Sequence, residues 1–182
     1  KAAVDEILVI LPEGCSIEGM TNEMAAEAAD IVVLTVPYSV HKPMLEAIKE
    51  YVQGKIFIDV TVPLVPPKVT KVQMPEAGSA SLEAQKILGE QVFVVSAFQN
   101  ISYEHLLGNQ SVDCDVLVCG SGKTARTVVL ELVKAAGLKG WDAGVLENSV
   151  VVEGLTSILI NINKQYGASS AGIRITGVKR TD

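Results

Sequence analysis

Apolar residues in this chain follow two rhythms that alternate along its length. Short continuous runs of β-branched and aliphatic residues, such as Ile31-Val32-Val33-Leu34-Thr35-Val36, end in proline or in small polar residues. Runs of this kind suit strands covered on both faces. Between them apolar residues recur every three or four positions, as at Leu45, Ile48 and Val52, the spacing of a helix with one buried face. Strands are expected over 31–36, 55–62, 91–97 and 113–119. Helices are expected at 40–52, 81–88, 102–107, 122–136 and 148–166, and over an Ala-rich stretch to 29 that Thr21-Asn22 caps. Residues 1–11 fit either state, since Ile7-Leu8-Val9-Ile10-Leu11 reads as strand and the preceding six residues as helix. Segment 63–80 carries Pro63, Pro66, Pro67 and Pro75 and reads as a loop, of a length uncommon unless it serves function. Strands alternating with helices predict an α/β fold with a doubly wound parallel sheet.

Such sheets bind ligands beyond the carboxyl ends of their strands. That rule selects Thr35-Val36-Pro37-Tyr38, Thr61-Val62-Pro63 and Ala97-Phe98-Gln99-Asn100. Together they would form an apolar shelf with a few hydrogen-bonding groups, which suits a flat heteroaromatic ring better than a charged substrate. Composition narrows the field further. With 48% hydrophobic and 20% charged residues a sizeable core forms and disorder is excluded. A formal charge of −6 without any Lys/Arg cluster argues against nucleic acid. No apolar stretch reaches the ~18 residues of a membrane span; the run at 150–160 is interrupted by Glu153 and Gly154. Cys15, Cys114 and Cys119, with two histidines, make no four-ligand zinc set, so no metal site is expected. The cysteines read as small buried or half-buried side chains in a reducing cytoplasm, and no signal-peptide pattern is present.

Two motifs tempt and fail. Gly122-Lys123-Thr124 resembles the end of a phosphate-binding P-loop, but Leu117 stands where its first glycine belongs. Gly120-Ser121-Gly122-Lys123-Thr124-Ala125 matches a G-x-G-x-x-A dinucleotide fingerprint, with Asp142 at a suitable distance. The following Leu138-Lys139-Gly140-Trp141-Asp142 is too polar for the required strand, and too little chain remains for a further strand–helix set. The stretch reads as a glycine turn capping a surface helix.

Several blocks carry a resemblance that covers nearly the whole chain. They are Ser16-Ile17-Glu18-Gly19-Met20-Thr21-Asn22-Glu23, the segments 30–37 and 60–69, Ser96-Ala97-Phe98-Gln99-Asn100 and Cys114-Asp115-Val116-Leu117-Val118-Cys119-Gly120. The most specific are Asp142-Ala143-Gly144-Val145-Leu146-Glu147-Asn148-Ser149 and Ala171-Gly172-Ile173-Arg174-Ile175-Thr176-Gly177. In this order and spacing the sequence resembles the NADPH-dependent coenzyme F420 reductase (F420H2:NADP oxidoreductase) family. The resemblance implies a Rossmann-type NADP-binding domain over 1–144, truncated at its start, and a helix and tail over 145–182 that complete a deazaflavin site. It implies nicotinamide- and ribose-side contacts at Val36, Val40, Val62 and Tyr103, with Thr35, Pro37, Tyr38, Ala97 and Asn100 as near neighbours. Deazaflavin contacts are implied at Gly172, Ile173, Arg174 and Thr176. It also makes 1–11 helical and places Gly120 on a late strand away from the cofactor. Members of the family begin with a strand, a glycine-rich turn, a helix and a second strand, and this sequence opens just after them. The expectation is that upstream residues complete the sheet, and that strand 31–37 otherwise presents an apolar edge with a gap or a neighbouring chain beside it.

The implied reaction passes hydride between C4 of nicotinamide and C5 of the deazaflavin. It needs two planes held about 3–3.5 Å apart and water kept out, with no protein nucleophile and no catalytic acid or base. The partners are then small redox cofactors, NADP(H) and coenzyme F420, in a cytoplasmic homodimer. His41 reads as a helix-surface or loop residue and His105 as structural. Lys164 lies where related hydroxyacid dehydrogenases carry a lysine acid, but Ile160 replaces the glycine that precedes that lysine. Arg174 suits the anionic deazaflavin tail or a surface carboxylate. Tyr38 and Tyr103 suit either the site or the sheet edge. Two other readings stay open: a related reductase of a small keto acid or imine, and a non-catalytic binding or dimerisation module.

Overall fold

In the computed structural model, residues 2–103, 106 and 113–179 are described. The chain forms α1 (Ala2–Leu8), α2 (Asn22–Ala28), β1 (Ile31–Leu34), α3 (His41–Ile48) and β2 (Ile56–Asp59). There follow α4 (Ala80–Leu88), β3 (Phe93–Ser96), β4 (Asp115–Gly120), α5 (Lys123–Ala135), β5 (Lys139–Gly144) and α6 (Ser149–Tyr166). Short 3-10 turns at Tyr38–Val40 and Lys49–Tyr51 flank α3. Caps fall where side chains offer them: Thr21 Oγ1 accepts from Met24 N at 3.3 Å and Ser79 Oγ from Leu82 N at 3.0 Å. Residues 1–11 resolve as helix over Ala2–Leu8. The short helix expected over 102–107 falls largely outside the described residues, as does His105.

The sheet has five strands in the order β1-β2-β3-β4-β5, a Rossmann-like α/β arrangement. β1, β2 and β3 run parallel, as do β4 and β5. The sheet is nevertheless mixed, because β4 runs antiparallel to β3, with Ser96 opposite Cys119. The chain thus leaves β3 and enters β4 at the same edge of the sheet, which brings Asp115 beside the β3 exit, where its carbonyl accepts from Asn100 Nδ2 at 2.9 Å. Gly120, at the other end of β4, stands opposite Val95 of β3.

β5 is a strand that the sequence pattern missed. Its polar residues are tolerated because it closes the sheet, and Gly140 is required under α5, where a Cβ would meet Leu130 Cδ2 at 2.8 Å. Neighbouring strand residues point to opposite faces. Phe57 and Val94 pack with Leu45, Ile48, Val52, Ala84 and Leu88 on one side. Ile58 and Val95 pack with Val116, Val118, Val129 and Val133 on the other. Both faces are therefore covered, as the continuous apolar runs require.

β1 ends the sheet, and no strand pairs with its outer side among the described residues. A groove of about 250 Å³ runs along it, lined by Val32, Val33, Ala25, Ala29 and Met44 among others. Of the cysteines, Cys114 and Cys119 are buried, but Cys15 is exposed, contrary to expectation, because it sits in the loop after α1.

Candidate functional site

The carboxyl edge of β1–β3 is built around buried polar side chains. Asp59, the last residue of β2, is fully buried. Its Oδ1 accepts from Thr61 N at 2.9 Å and its Oδ2 pairs with His41 Nε2 at 2.8 Å. Its carbonyl oxygen accepts from Gln99 Nε2 at 2.8 Å. Gln99 also donates to Ser96 Oγ at 2.7 Å, and its backbone carbonyl accepts from Thr156 Oγ1 at 3.0 Å. Phe98, just before it, has φ of 70°, a left-handed conformation that costs a bulky residue roughly 1–3 kcal/mol. That turn directs the Gln99 side chain back under the strand ends. Its Oε1 is buried without a hydrogen-bond partner among the described residues, so an acceptor remains open there.

His41 was expected at a surface, yet it is 0% exposed. Its Nδ1 lies 3.3 Å from Glu83 Oε1, and Tyr38 Oη donates to Glu83 Oε2 at 3.5 Å. Burial alone lowers the imidazole pKa, but hydrogen bonds and charge from Asp59, then Glu83, outweigh it and hold it above the ordinary value. Burial, then the Glu83 charge, raises the Tyr38 phenol.

A second feature is a cleft of about 230 Å³ between the β3 exit, α6 and the C-terminal tail, whose walls include Asn100, Ser102, Cys114, Thr156, Asn163 and Gly172. The tail is tied to the start of β4. Asp115 N donates to Ile173 O at 2.8 Å, and Asp115 Oδ2 accepts from Ile175 N and Trp141 Nε1, both at 2.7 Å. Gly172 packs so closely on Cys114 that a Cβ would stand 2.6 Å from its Sγ. Asn163 Oδ1 accepts from Ala171 N at 2.8 Å. Burial pushes the Cys114 thiol above its ordinary pKa, so it stays protonated at neutral pH and is a poor nucleophile.

α6 is docked by a buried carboxyl group. Glu153, 0% exposed, accepts from Ala80 N at 2.7 Å, Ser81 N at 3.0 Å and Ser81 Oγ at 2.8 Å, at the amino end of α4. Burial pushes its pKa up to about 7 against those donors, which favour the charged form.

Of the sequence-selected residues, Asn100 and Gly172 meet in the cleft. Val36 and Val62 are half-buried at the β1 and β2 exits, and Thr35, Pro37 and Val40 are exposed beside them. Tyr38 is half-buried over His41, with ring centroids 5.9 Å apart. Ala97 is fully buried in the core beneath the shelf rather than on it. Asn100 Nδ2 is engaged by Asp115 O at 2.9 Å, holding the β3 exit to β4. Tyr103 and Thr176 are exposed, and Ile173 is half-buried. Arg174 pairs with Asp113 at 3.1 Å, both in solvent, where such a pair contributes little. Lys164 is exposed and does not line the cleft. Asp59 and Glu153 escaped the sequence reading, which selected Gln99 only as part of a strand end. A charged residue closing the apolar run Ile56-Phe57-Ile58-Asp59 was the available signal, and Glu153 within an apolar helix was another.

A Rossmann-like sheet with a polar network and a cleft at one carboxyl edge defines an α/β protein with its candidate ligand site at the strand ends. Residues 5–63 match the family described as NADP oxidoreductase, coenzyme F420-dependent. The chain is 39% identical to the F420-dependent NADP reductase of Methanothermobacter thermautotrophicus, over 98% of this chain and 79% of that protein. It is 38% identical to the F420-dependent NADP reductase of Methanocaldococcus jannaschii, over 88% of this chain and 74% of the relative. A solved structure from Arthrobacter sp. FB24 superposes with a TM-score of 0.76 at 21% identity, covering 87% of this chain and 74% of that one, and speaks for the fold. The chain belongs to the F420-dependent NADP reductase family.

Proposed function

We infer that this protein is an oxidoreductase that transfers hydride between NADP(H) and coenzyme F420. The observation that carries the reading is the cleft between the β3 exit and the tail, in a chain 38–39% identical to reductases of that name. When bound, the two cofactors supply the donor and acceptor carbons. The residues present suit flat rings: Val36 and Val62 are apolar and half-buried at the β1 and β2 exits, and the cleft beside the β3 exit is lined by polar Asn100, Thr156 and Asn163 together with Ile101, Leu159 and Ile160. The open Gln99 Oε1 is an acceptor of the kind a carboxamide or ring N–H needs.

The protein's share of the work is to bind, orient and exclude water; the Cys114 thiol in that wall is held above its ordinary pKa by burial and is a poor nucleophile. We assign Thr35, Val36, Pro37, Tyr38, Val40, Val62, Asn100 and Tyr103 to the NADP side, with Ala97 supporting them from below. Gly172, Ile173, Arg174 and Thr176 belong to the deazaflavin side. Residues 1–144 then carry NADP and 145–182 complete the second site. Hydrogen bonds from Asp115 to the tail support this division.

Among the described residues no helix is long and apolar enough to cross a membrane. A cytoplasmic homodimer is the assembly we favour. Free cysteines support the compartment, and an apolar stripe on α6 supports the dimer. Mixing the purified protein with NADPH and oxidised F420 tests the activity through the deazaflavin absorbance band. Bleaching is expected, and an unchanged spectrum at micromolar enzyme would refute the assignment.

A further inference from the structure

We propose that His41 and Asp59 are positioning residues for hydride transfer, a buried pair that locks the exits of β1, β2 and β3 to one another. The proposal rests on the function just inferred. The sheet pairs these strands only as far as Leu34, Asp59 and Ser96, yet the shelf lies beyond those residues. Beyond them, one side chain and its backbone reach every exit. Asp59 holds the β2 exit through Thr61 N, the β3 exit through Gln99, and the α3 end of the β1 exit through His41. Thr61 Oγ1 then closes the ring by donating to Val36 O at 3.4 Å.

The groups facing His41 are Asp59 on β2, Glu83 on α4 and Tyr38 on the preceding turn, with Glu153 of α6 charge-coupled to Asp59 and Tyr38. Stability alone does not account for such an arrangement, since a buried ion pair is often no better than well-packed apolar residues. What it supplies is fixed geometry in three loops at once. A ring misplaced by ~1 Å loses about 100-fold in rate.

The test uses His41→Ala and Asp59→Asn, read by steady-state kinetics from pH 5.5 to 9 and by amide hydrogen exchange. For His41→Ala the expected result is a kcat at least tenfold lower with the KM for NADPH within threefold. Exchange should rise at Thr61 and at 98–100, remote from position 41 in sequence. Asp59→Asn should recover part of its lost kcat as pH rises, because a neutral imidazole can accept from the new amide whereas an imidazolium cannot. An unaltered kcat, or exchange changes confined to α3, would overturn the proposal. Should His41→Ala not fold, Glu83→Gln, at a partly exposed side chain, replaces it with an expected severalfold loss of kcat; no loss overturns the proposal. If the unmodified protein does not reduce F420, the functional reading fails, and the lock is judged on the exchange data alone.

Discussion

Glu153 brings a carboxyl group into the interior at a point where helix donors and desolvation oppose each other, and the balance sets a pH dependence. Its pKa is about 7 in the fold against 4.5 for an ordinary glutamate. Between those values the unfolded chain releases a proton that the folded chain keeps, so stability falls as pH rises from 4.5 to 7 and levels off above. The whole drop is roughly 3 kcal/mol. Glu153→Gln should flatten that slope in thermal melts across the same window, and an undiminished slope would place its origin elsewhere. His41 acts with the same sign at higher pH. Its raised pKa gives stability that is full below 6.5 and lost as pH passes its folded value, so the variant should keep that upper slope. Ala97 is governed by volume instead. With 0% exposure among Ile58, Val95 and Val116, Ala97→Leu overpacks the core by about 1–3 kcal/mol and pushes the 98–100 turn outward. The variant should fold with a lowered Tm and lose turnover; near-normal kcat would detach Ala97 from the shelf.

At the scale of elements, Asp115 decides where the tail lies. One carboxylate oxygen holds both the Ile175 amide and the Trp141 indole, and the backbone amide holds Ile173. Asp115→Ala should free the tail, seen as faster proteolysis beyond α6 and a KM for F420 raised tenfold or more, with the KM for NADPH little changed. Equal effects on both would argue against the division of labour between the two ends of the chain. The sequence displayed some of this plainly and hid the rest for identifiable reasons. β1, β2 and β3 announce themselves as apolar runs because both faces of the sheet are covered. β5 does not, because a closing strand tolerates Lys139 and Asp142 in partial solvent contact. The direction of β4 was equally hidden, since an apolar run carries no sign of which way it pairs. Thr35-Val36-Pro37-Tyr38, Thr61-Val62-Pro63 and Ala97-Phe98-Gln99-Asn100 were selected by the rule of strand ends. The His41–Asp59–Gln99 network was not, because its members lie 18 and 40 residues apart and meet only once the sheet forms.

For the molecule as a whole, the outer face of α6 poses a question of assembly. Its inner face is satisfied by Val152, Glu153, Ser157 and Leu159, all buried. Along the other side run Val151, Leu155, Ile158, Ile162 and Tyr166, a seam at three- and four-residue spacing of the kind that packs against another helix. Val151 at 70% and Tyr166 at 74% exposure are far more open than residues of that type in a finished core. A two-fold axis across the seam would place α6 against its own copy, the commonest closed symmetry. A standard interface buries ~800 Å² per partner, more than one stripe supplies, so such a dimer must draw on residues beyond the seam. The arrangement would also stiffen the cleft, since Thr156 and Asn163 line it from the same helix. The protein should therefore sediment as a dimer at micromolar concentration, and Ile158→Glu combined with Ile162→Lys should yield a folded monomer. A wild-type monomer at tens of micromolar would remove the dimer, whereas a dimeric double variant would move its interface to another face.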